Sequence, residues 1–283
     1  MANVLVIVPG ITSIVNANLE LARRLVVAGH SVLMASSANV GHQVRAQGLP
    51  FLQFEKGRPV QRKAHTDRFG ARLWRWILRW RMRKSRCQEK IDASGLRTLA
   101  EQLGPHAFDL ILVDIESAEH VIASWQFAGR VALVSTFLSI WKSPCQPPLH
   151  RDITPGVGWR GSRLGIEFAW LQLWLEKWWY RTRSWIRASG ADRESVLLTF
   201  ARQQGFPFDR YVERYDYLLP FSYRELPILT LNALELDFPL DLPAQCRYVG
   251  PMINSGSRQG DKELASEIQV VLERAGRKPL IYC

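Results

Sequence analysis

Residues 3–36 read NVLVIVPGITSIVNANLELARRLVVAGHSVLMAS, and this stretch decides the fold. Asn3–Val8 is a continuous aliphatic run of strand length, the composition of a strand buried on both faces of a parallel sheet. Gly10–Ser13 reads as a turn. From Asn16 the residues Leu19, Ala22, Leu25 and Val26 follow helical spacing, and Ala28-Gly29 ends the helix with Gly29 as its C-terminal cap. His30–Ala35 is the next strand. A strand, a helix and a second strand in this space make one βαβ unit.

The same rhythm continues outward. A helix over 40–47 and a strand Phe51–Phe54 follow, and Asp109–Asp114 (DLILVD) is a second buried strand. A helix from Ala118 to Phe127 and a strand Arg130–Ser135 come next. Strands alternating with helices of this length predict an α/β fold, a Rossmann-like doubly wound parallel sheet. Two long segments, Gly57–Lys90 and Lys142–Gly205, interrupt the alternation. The tail has a Gly/Ser-rich linker at Ser255–Gly260, a helix near Lys262–Ala275 and a strand-like run Pro279–Cys283. The expected division is one domain over 1–253, then a linker and the start of a second domain over 254–283.

At 283 residues and 47% hydrophobic content the chain can bury a substantial core. Lys and Arg number 37 against 26 Asp and Glu, a net charge of +11 that favours anionic partners. The cysteines, Cys87, Cys145, Cys246 and Cys283, are far apart, so neither a disulfide framework nor a zinc site is expected, and a reducing cytosol fits best. The opening run Val4–Val8 is too short for a signal peptide and lacks a basic leader. Val131–Ile140 falls well short of the ~20 residues a membrane span needs. The expectation is a cytoplasmic protein, peripheral at most on the inner face of the membrane.

Two places on the sheet can carry chemistry. Ligands of open α/β sheets bind beyond the carboxyl ends of the strands. The turn after the first strand has one glycine and does not match GxGxxG, so no dinucleotide site follows. Ser13 and Asn16 are hydrogen-bonding groups there, or else a helix N-cap and a first-turn residue. Asp114 closes the DLILVD strand at the same sheet edge, where it can orient a base, bind a hydroxyl, or cap the next helix.

At this point the sequence resembles a family. Val4–Val8, the turn, Asn16 and LELARRLVVAGHSVLMAS look like the opening of UDP-glycosyltransferases, in which a strand leads into (G)HxNPxLxLAxxLxxxGHxV. RYVGPMI at 247–253, with ALELDFPLDLP before it, is similar to the stretch that joins the two domains of a GT-B enzyme. KPLIYC resembles the first strand of the second domain.

The resemblance implies hexosyl transfer from a UDP-sugar donor to an acceptor hydroxyl, with no other cofactor and no metal. It also implies an acceptor-binding half whose donor-binding half is missing, and inactivity of this fragment alone. In the family a histidine deprotonates the acceptor and an aspartate orients it. Asp114 matches the aspartate, whereas the histidine position is Ile14, which cannot take a proton. His30 belongs to the structural GHxV element, and His120 and Glu116 are weaker candidates for a base.

The chain is most unusual in two tryptophan- and arginine-rich segments. Over Arg68–Lys90, Arg72, Arg75, Arg79, Arg83 and Arg86 recur at three- and four-residue spacing, which predicts one wholly basic helical face. Leu73, Trp76, Ile77 and Trp80 follow the apolar spacing beside it, the pattern of a helix lying on an anionic membrane surface. Arg72, Arg75, Trp76, Arg79, Trp80 and Arg83 are the expected membrane-surface residues. In Glu167–Arg187 the residues Trp170, Trp174 and Trp178 form a stripe, which either packs on the domain or meets lipid. Trp170 and Trp174, with Ser13 and Asn16, are the expected contacts to a lipophilic small-molecule or lipid acceptor. No RRM, KH, helix-turn-helix or zinc-finger pattern organises contacts to nucleic acid, so none is expected. The competing function is a non-catalytic module, a pseudoenzyme or one subunit of a split enzyme, that binds a lipid or a separate donor-binding domain.

Overall fold

The structure is a computed structural model that describes residues 1–54, 69–95, 99, 103, 108–127, 130–138, 142, 146–213, 221–237 and 244–253. The linker, helix and strand expected over Ser255–Cys283 lie outside the described residues. The chain divides into two units, Met1–Met252 and Ile253–Cys283.

In the first unit the order is β1 (Asn3–Ile7), α1 (Thr12–Val27), β2 (Ser31–Ser36), α2 (Gly41–Arg45), β3 (Phe51–Gln53), α3 (Phe69–Arg81) and α4 (Arg83–Asp92). Then come β4 (Leu110–Asp114), α5 (Ala118–Ser124), β5 (Val131–Ser135), α6 (Arg163–Arg187), α7 (Arg193–Gln203) and α8 (Phe208–Tyr211). The short strands β6 (Val212–Glu213), β7 (Ser222–Tyr223), β8 (Ile228–Thr230) and β9 (Cys246–Tyr248) complete it.

Seven strands form one sheet in the order β3-β2-β1-β4-β5-β8-β9. Every pairing in it is parallel, with Val4 opposite both Val32 and Leu110, and Asp114 opposite Val134. The two-residue strands β6 and β7 pair apart from it as an antiparallel ribbon. The pleat divides the core in two. Val4, Val6, Val8, Leu112, Ala132 and Val134 pack with Val15, Leu19 and Ala22 of α1 on one face. Leu5, Ile7, Ile111, Val113 and Leu133 pack with Ile91 of α4, Val121 of α5 and Phe200 of α7 on the other. A strand whose residues all enter one core or the other has no polar face, which is why these strands read as unbroken apolar runs.

The structure departs from the sequence reading in three places. First, α1 starts at Thr12 rather than Asn16, and its N-cap is Ile11, with no side-chain capping bond. Its C-terminal end is as expected: Gly29 has φ +87° and His30 N–H closes on the Leu25 carbonyl. Second, β8 and β9 are strands of the main sheet, too short to show a pattern in the sequence.

Third, the basic segment is not one helix. It breaks at Met82 into α3 and α4. The arginine stripe therefore does not continue: Arg86 on α4 is partly buried and donates from Nη1 to the Ala188 carbonyl at 3.0 Å. Side chains of both pieces turn instead to backbone carbonyls at the end of α6 and in the turn after it. Trp76 Nε1 donates to the Ile186 carbonyl at 2.8 Å, and Lys90 donates to that of Ala191. The broken helix pair adds side-chain donors to the α6–α7 turn, where the Ile186 and Ala188 carbonyls also accept the backbone N–H groups of Ser189 and Ala191.

Candidate functional site at the carboxyl edge of the sheet

Chain order runs outward from β1 through β2 to β3 in one direction and through β4 to β5 in the other. The switch point thus lies between β1 and β4, and the loops leaving their carboxyl ends diverge to opposite faces, opening a crevice. Asp114 is the last residue of β4, one place beyond the Ile7–Val113 register pair. It stands at this crevice. The turn after β1 is held close to the loop after β2, because a Cβ on Gly10 would come 2.2 Å from the Ala38 Cβ. Only glycine allows that approach.

Four strands end on a polar residue that is almost fully buried: Ser36 on β2, Asp114 on β4, Ser135 on β5 and Thr230 on β8. The sequence reading missed three of them, although a hydroxyl closing a buried apolar run is a legible signal. Ser36 Oγ accepts from Ala38 N–H at 3.1 Å and Ser135 Oγ from Phe137 N–H at 3.2 Å. The Thr230 hydroxyl lies 3.5 Å from Cys246 Sγ. These groups are occupied in turning the chain or tying neighbouring strands.

Asp114 differs. Its Oδ1 accepts the Glu116 N–H at 3.0 Å, but Oδ2 is buried with no hydrogen-bond partner. The N-cap position of the helix that follows is Ser117, three residues on, so Asp114 is not its cap. Burial pushes its carboxyl up to about 7, with the Glu116 charge adding to the rise and the Glu116 N–H opposing it. A carboxyl poised near neutral pH can take or hold a proton at its unpartnered oxygen, the condition for acid–base work.

The residues around the first turn separate into two groups. Ser13 and Asn16 are exposed on the first two turns of α1. Ile14, between them, is 3% exposed, its side chain turned into the protein. Asn18, which the sequence reading passed over, is 1% exposed: Nδ2 donates to the Ile14 carbonyl at 2.9 Å, and Oδ1 is buried without a partner. Polar residues inside an amphipathic pattern escape a reading that follows only the apolar ones.

His120, on α5, packs edge-on against Phe54, with ring centroids 5.1 Å apart. Burial lowers its pKa to about 4, so the ring is neutral. Trp170 is buried beside Ile166 and Leu173, and its Nε1 donates to the Gln146 carbonyl at 2.8 Å. Trp174 is 39% exposed. The stripe thus climbs from the protein interior at Trp170 to solvent at Trp178.

On α3, Trp76 and Ile77 are partly buried, while Trp74, Leu78, Arg79 and Trp80 are exposed. The side chains of Arg72 and Arg75 lie outside the described residues. The Arg83 guanidinium sits 4.4 Å over the Trp80 ring. No helix among the described residues is long and apolar enough to cross a membrane. Among the described residues no group of His, Cys, Asp and Glu is placed to hold a metal ion.

No protein-family model matches the sequence, and no curated protein matches it. Solved structures do match. The glycotransferase of kitacinnamycin superposes with a TM-score of 0.53 at 15% identity, over 92% of this chain and 54% of that one. The calicheamicin glycosyltransferase CalG4 gives 0.46 at 13% identity, over 88% and 53%. The glycosyltransferase VinC in complex with DTDP gives 0.44 at 16%, over 86% and 52%. The chain spans about half the length of the structures it matches. With a seven-stranded parallel sheet in the order 3-2-1-4-5-8-9, it has the fold of the N-terminal half of a GT-B glycosyltransferase.

Proposed function

We propose that this chain is the acceptor-binding half of a glycosyltransferase that moves a hexose from a UDP-sugar to the hydroxyl of a lipophilic acceptor at an anionic membrane surface. The observation that carries the reading is Asp114: a buried carboxylate at the switch point, raised toward neutral, with one oxygen unpartnered. Transfer to a hydroxyl requires that the hydroxyl lose its proton as the new bond forms. Ile14 cannot receive that proton. Asp114 in its ionised form can, and we assign it the part of general base. Ser13 and Asn16, exposed at the mouth of the first turn, orient the acceptor, and Trp174 contacts its apolar part.

The donor sits against a donor-binding half, on the same chain or a separate one. Its UDP leaving group needs the charge-stabilising contacts of that half. The test uses the protein together with its donor-binding half. Asp114→Asn should lower kcat by about 10²–10⁴, the usual contribution of a general base. His120→Ala should cost far less. Wild-type activity should fall as pH drops below about 7, as Asp114 becomes protonated. An Asp114→Asn variant with wild-type kcat and an unchanged pH profile overturns the assignment.

The second reading, a non-catalytic module that binds lipid or a partner, is favoured by Ile14 alone. Turnover by the assembled protein that depends on Asp114 rejects it.

A further inference from the structure

The geometry points to a second site, distinct from the strand ends: the hollow between α4, α6 and the start of α7 binds the phosphate of a phospholipid headgroup or other phosphate ester. The hollow has a volume of about 390 Å³, and Lys90, Tyr180, Arg183, Arg187, Asp192 and Arg193 line it. One water takes up roughly 30 Å³ of liquid, so a phosphate enters with room for its ester carbons and some hydration.

Four cations and one carboxylate line this space, and a second carboxylate, Glu119, pairs with one of the four. Arg183 and Arg187 are one turn apart on α6, and no carboxylate among the described residues pairs with either. Arg193 spends Nε and Nη2 on Glu119 Oε1, at 3.0 and 2.7 Å, which leaves Nη1. Lys90 is anchored by its bond to the Ala191 carbonyl. Asp192 is 8% exposed and accepts from Ser195 Oγ at 2.5 Å, so its charge is partly satisfied within the protein. Arg183 and Arg187 are exposed guanidiniums lining the same concave space, and like charges so placed repel one another. An anion with several acceptor oxygens relieves that repulsion, and the planar N–H forks of arginine match phosphate well.

The surroundings favour a lipid as the source. Across α6 lies a second hollow of about 340 Å³, with Trp178, Thr182 and Trp185 on one wall and Leu198 on the other, and Asp192 borders both hollows. Trp178, Trp179 and Trp185 are 49%, 61% and 40% exposed. Exposed tryptophans on the same helix as the arginines of a phosphate site suit the headgroup level of a bilayer. This inference deepens the membrane-surface part of the proposed function and is independent of the sugar-transfer part.

The test compares the full chain with Arg183→Gln/Arg187→Gln and with a control, Arg202→Gln/Arg247→Gln, that loses equal charge at exposed positions outside the hollow and off the tryptophan-rich helices. Circular dichroism checks that each variant is folded. Vesicles of phosphatidylcholine carry either phosphatidic acid or a carboxylate-headed lipid at matched surface charge. The wild type and the control should favour the phosphate-headed vesicles by about tenfold, and the hollow variant should lose that preference. In parallel, glycerol 3-phosphate is titrated into the protein by calorimetry. Binding that Arg183→Gln/Arg187→Gln abolishes supports the site and shows that it also takes soluble phosphate esters. A vesicle preference without such binding supports the site with a phospholipid as its only source. Equal binding to both vesicle types with no glycerol 3-phosphate binding overturns the site and leaves a simple charge attraction to the membrane. Loss of preference in the control as well as in the hollow variant overturns it too.

Discussion

The indole N–H of Trp76 on α3 donates to the carbonyl of Ile186 in the last turn of α6 at 2.8 Å, across 110 positions of sequence. This bond joins the two tryptophan-rich helices, and it splits the tryptophans by role. Trp76 is a structural tie, whereas Trp80 on the same helix carries the Arg83 guanidinium over its ring and is 37% exposed. Trp76→Phe keeps most of the ring's packing but leaves the Ile186 carbonyl without this donor. It should destabilise the protein by about 1 kcal/mol, and Trp80→Phe by less than about half of that. Urea unfolding midpoints of the two variants check the difference.

The exposed side chains of α3 and α6 give the membrane reading its own test. Attraction between arginines and anionic lipid is screened over about 8 Å at physiological salt, whereas insertion of indole rings is not screened. Replacing Arg75, Arg79 and Arg83 by Gln should weaken binding to anionic vesicles by about 1 kcal/mol for each charge near the surface. Trp80→Ala with Trp179→Ala should remove a part that persists at high salt. Co-sedimentation across salt concentrations separates the two, and equal binding to neutral and anionic vesicles sinks the electrostatic account.

Sequence pattern alone revealed the sheet's centre because β1, β2, β4 and β5 are buried on both faces. Every residue from Val4 to Ile7 had to be apolar, and that leaves an unbroken signal. The last two strands of the sheet, β8 and β9, have three residues each, fewer than any periodicity needs. Asp114 was legible as a carboxylate ending a strand; its unpartnered oxygen was not, since that depends on what the neighbouring loops leave unfilled. Asn18 was hidden by its place among Val15, Leu19 and Ala22. The basic hollow was beyond reach, because Lys90, Arg183 and Arg193 meet only when α4 is folded against the α6–α7 turn.

Asp114 should also leave a mark on stability. Its carboxyl holds its proton to about 7 in the folded chain against 3.8 as the ordinary value, so the folded state binds the proton more tightly. This contribution is fully present below pH 3.8 and is lost as pH rises through about 7. The loss amounts to up to about 4 kcal/mol at 1.36 kcal/mol per pKa unit. Asp114→Asn, which cannot ionise, should lack this fall and be the more stable protein at pH 8. Denaturant unfolding of both proteins from pH 4 to pH 8 checks it, and parallel curves would falsify the burial argument.

The position of Ile14 yields a sharper prediction, because a histidine there is what the family resemblance implies. The side chain is 3% exposed at the start of α1, beside the core that Val15 and Leu19 enter. Ile14→His places two ring nitrogens where water is excluded. Without a partner for each, this costs roughly 1–3 kcal/mol on the scale of buried polar groups in proteins. Below the ordinary histidine pKa of about 6.5 the imidazolium must be desolvated as well, so the loss should be larger at pH 5 than at pH 8. The variant should gain no activity, since its ring replaces a core side chain and does not open a path to the acceptor. Unfolding midpoints at the two pH values, with turnover by the assembled protein, decide the matter. A variant as stable as the wild type and faster in transfer would mean that Ile14 faces the crevice, with Asp114 available to orient a histidine base there.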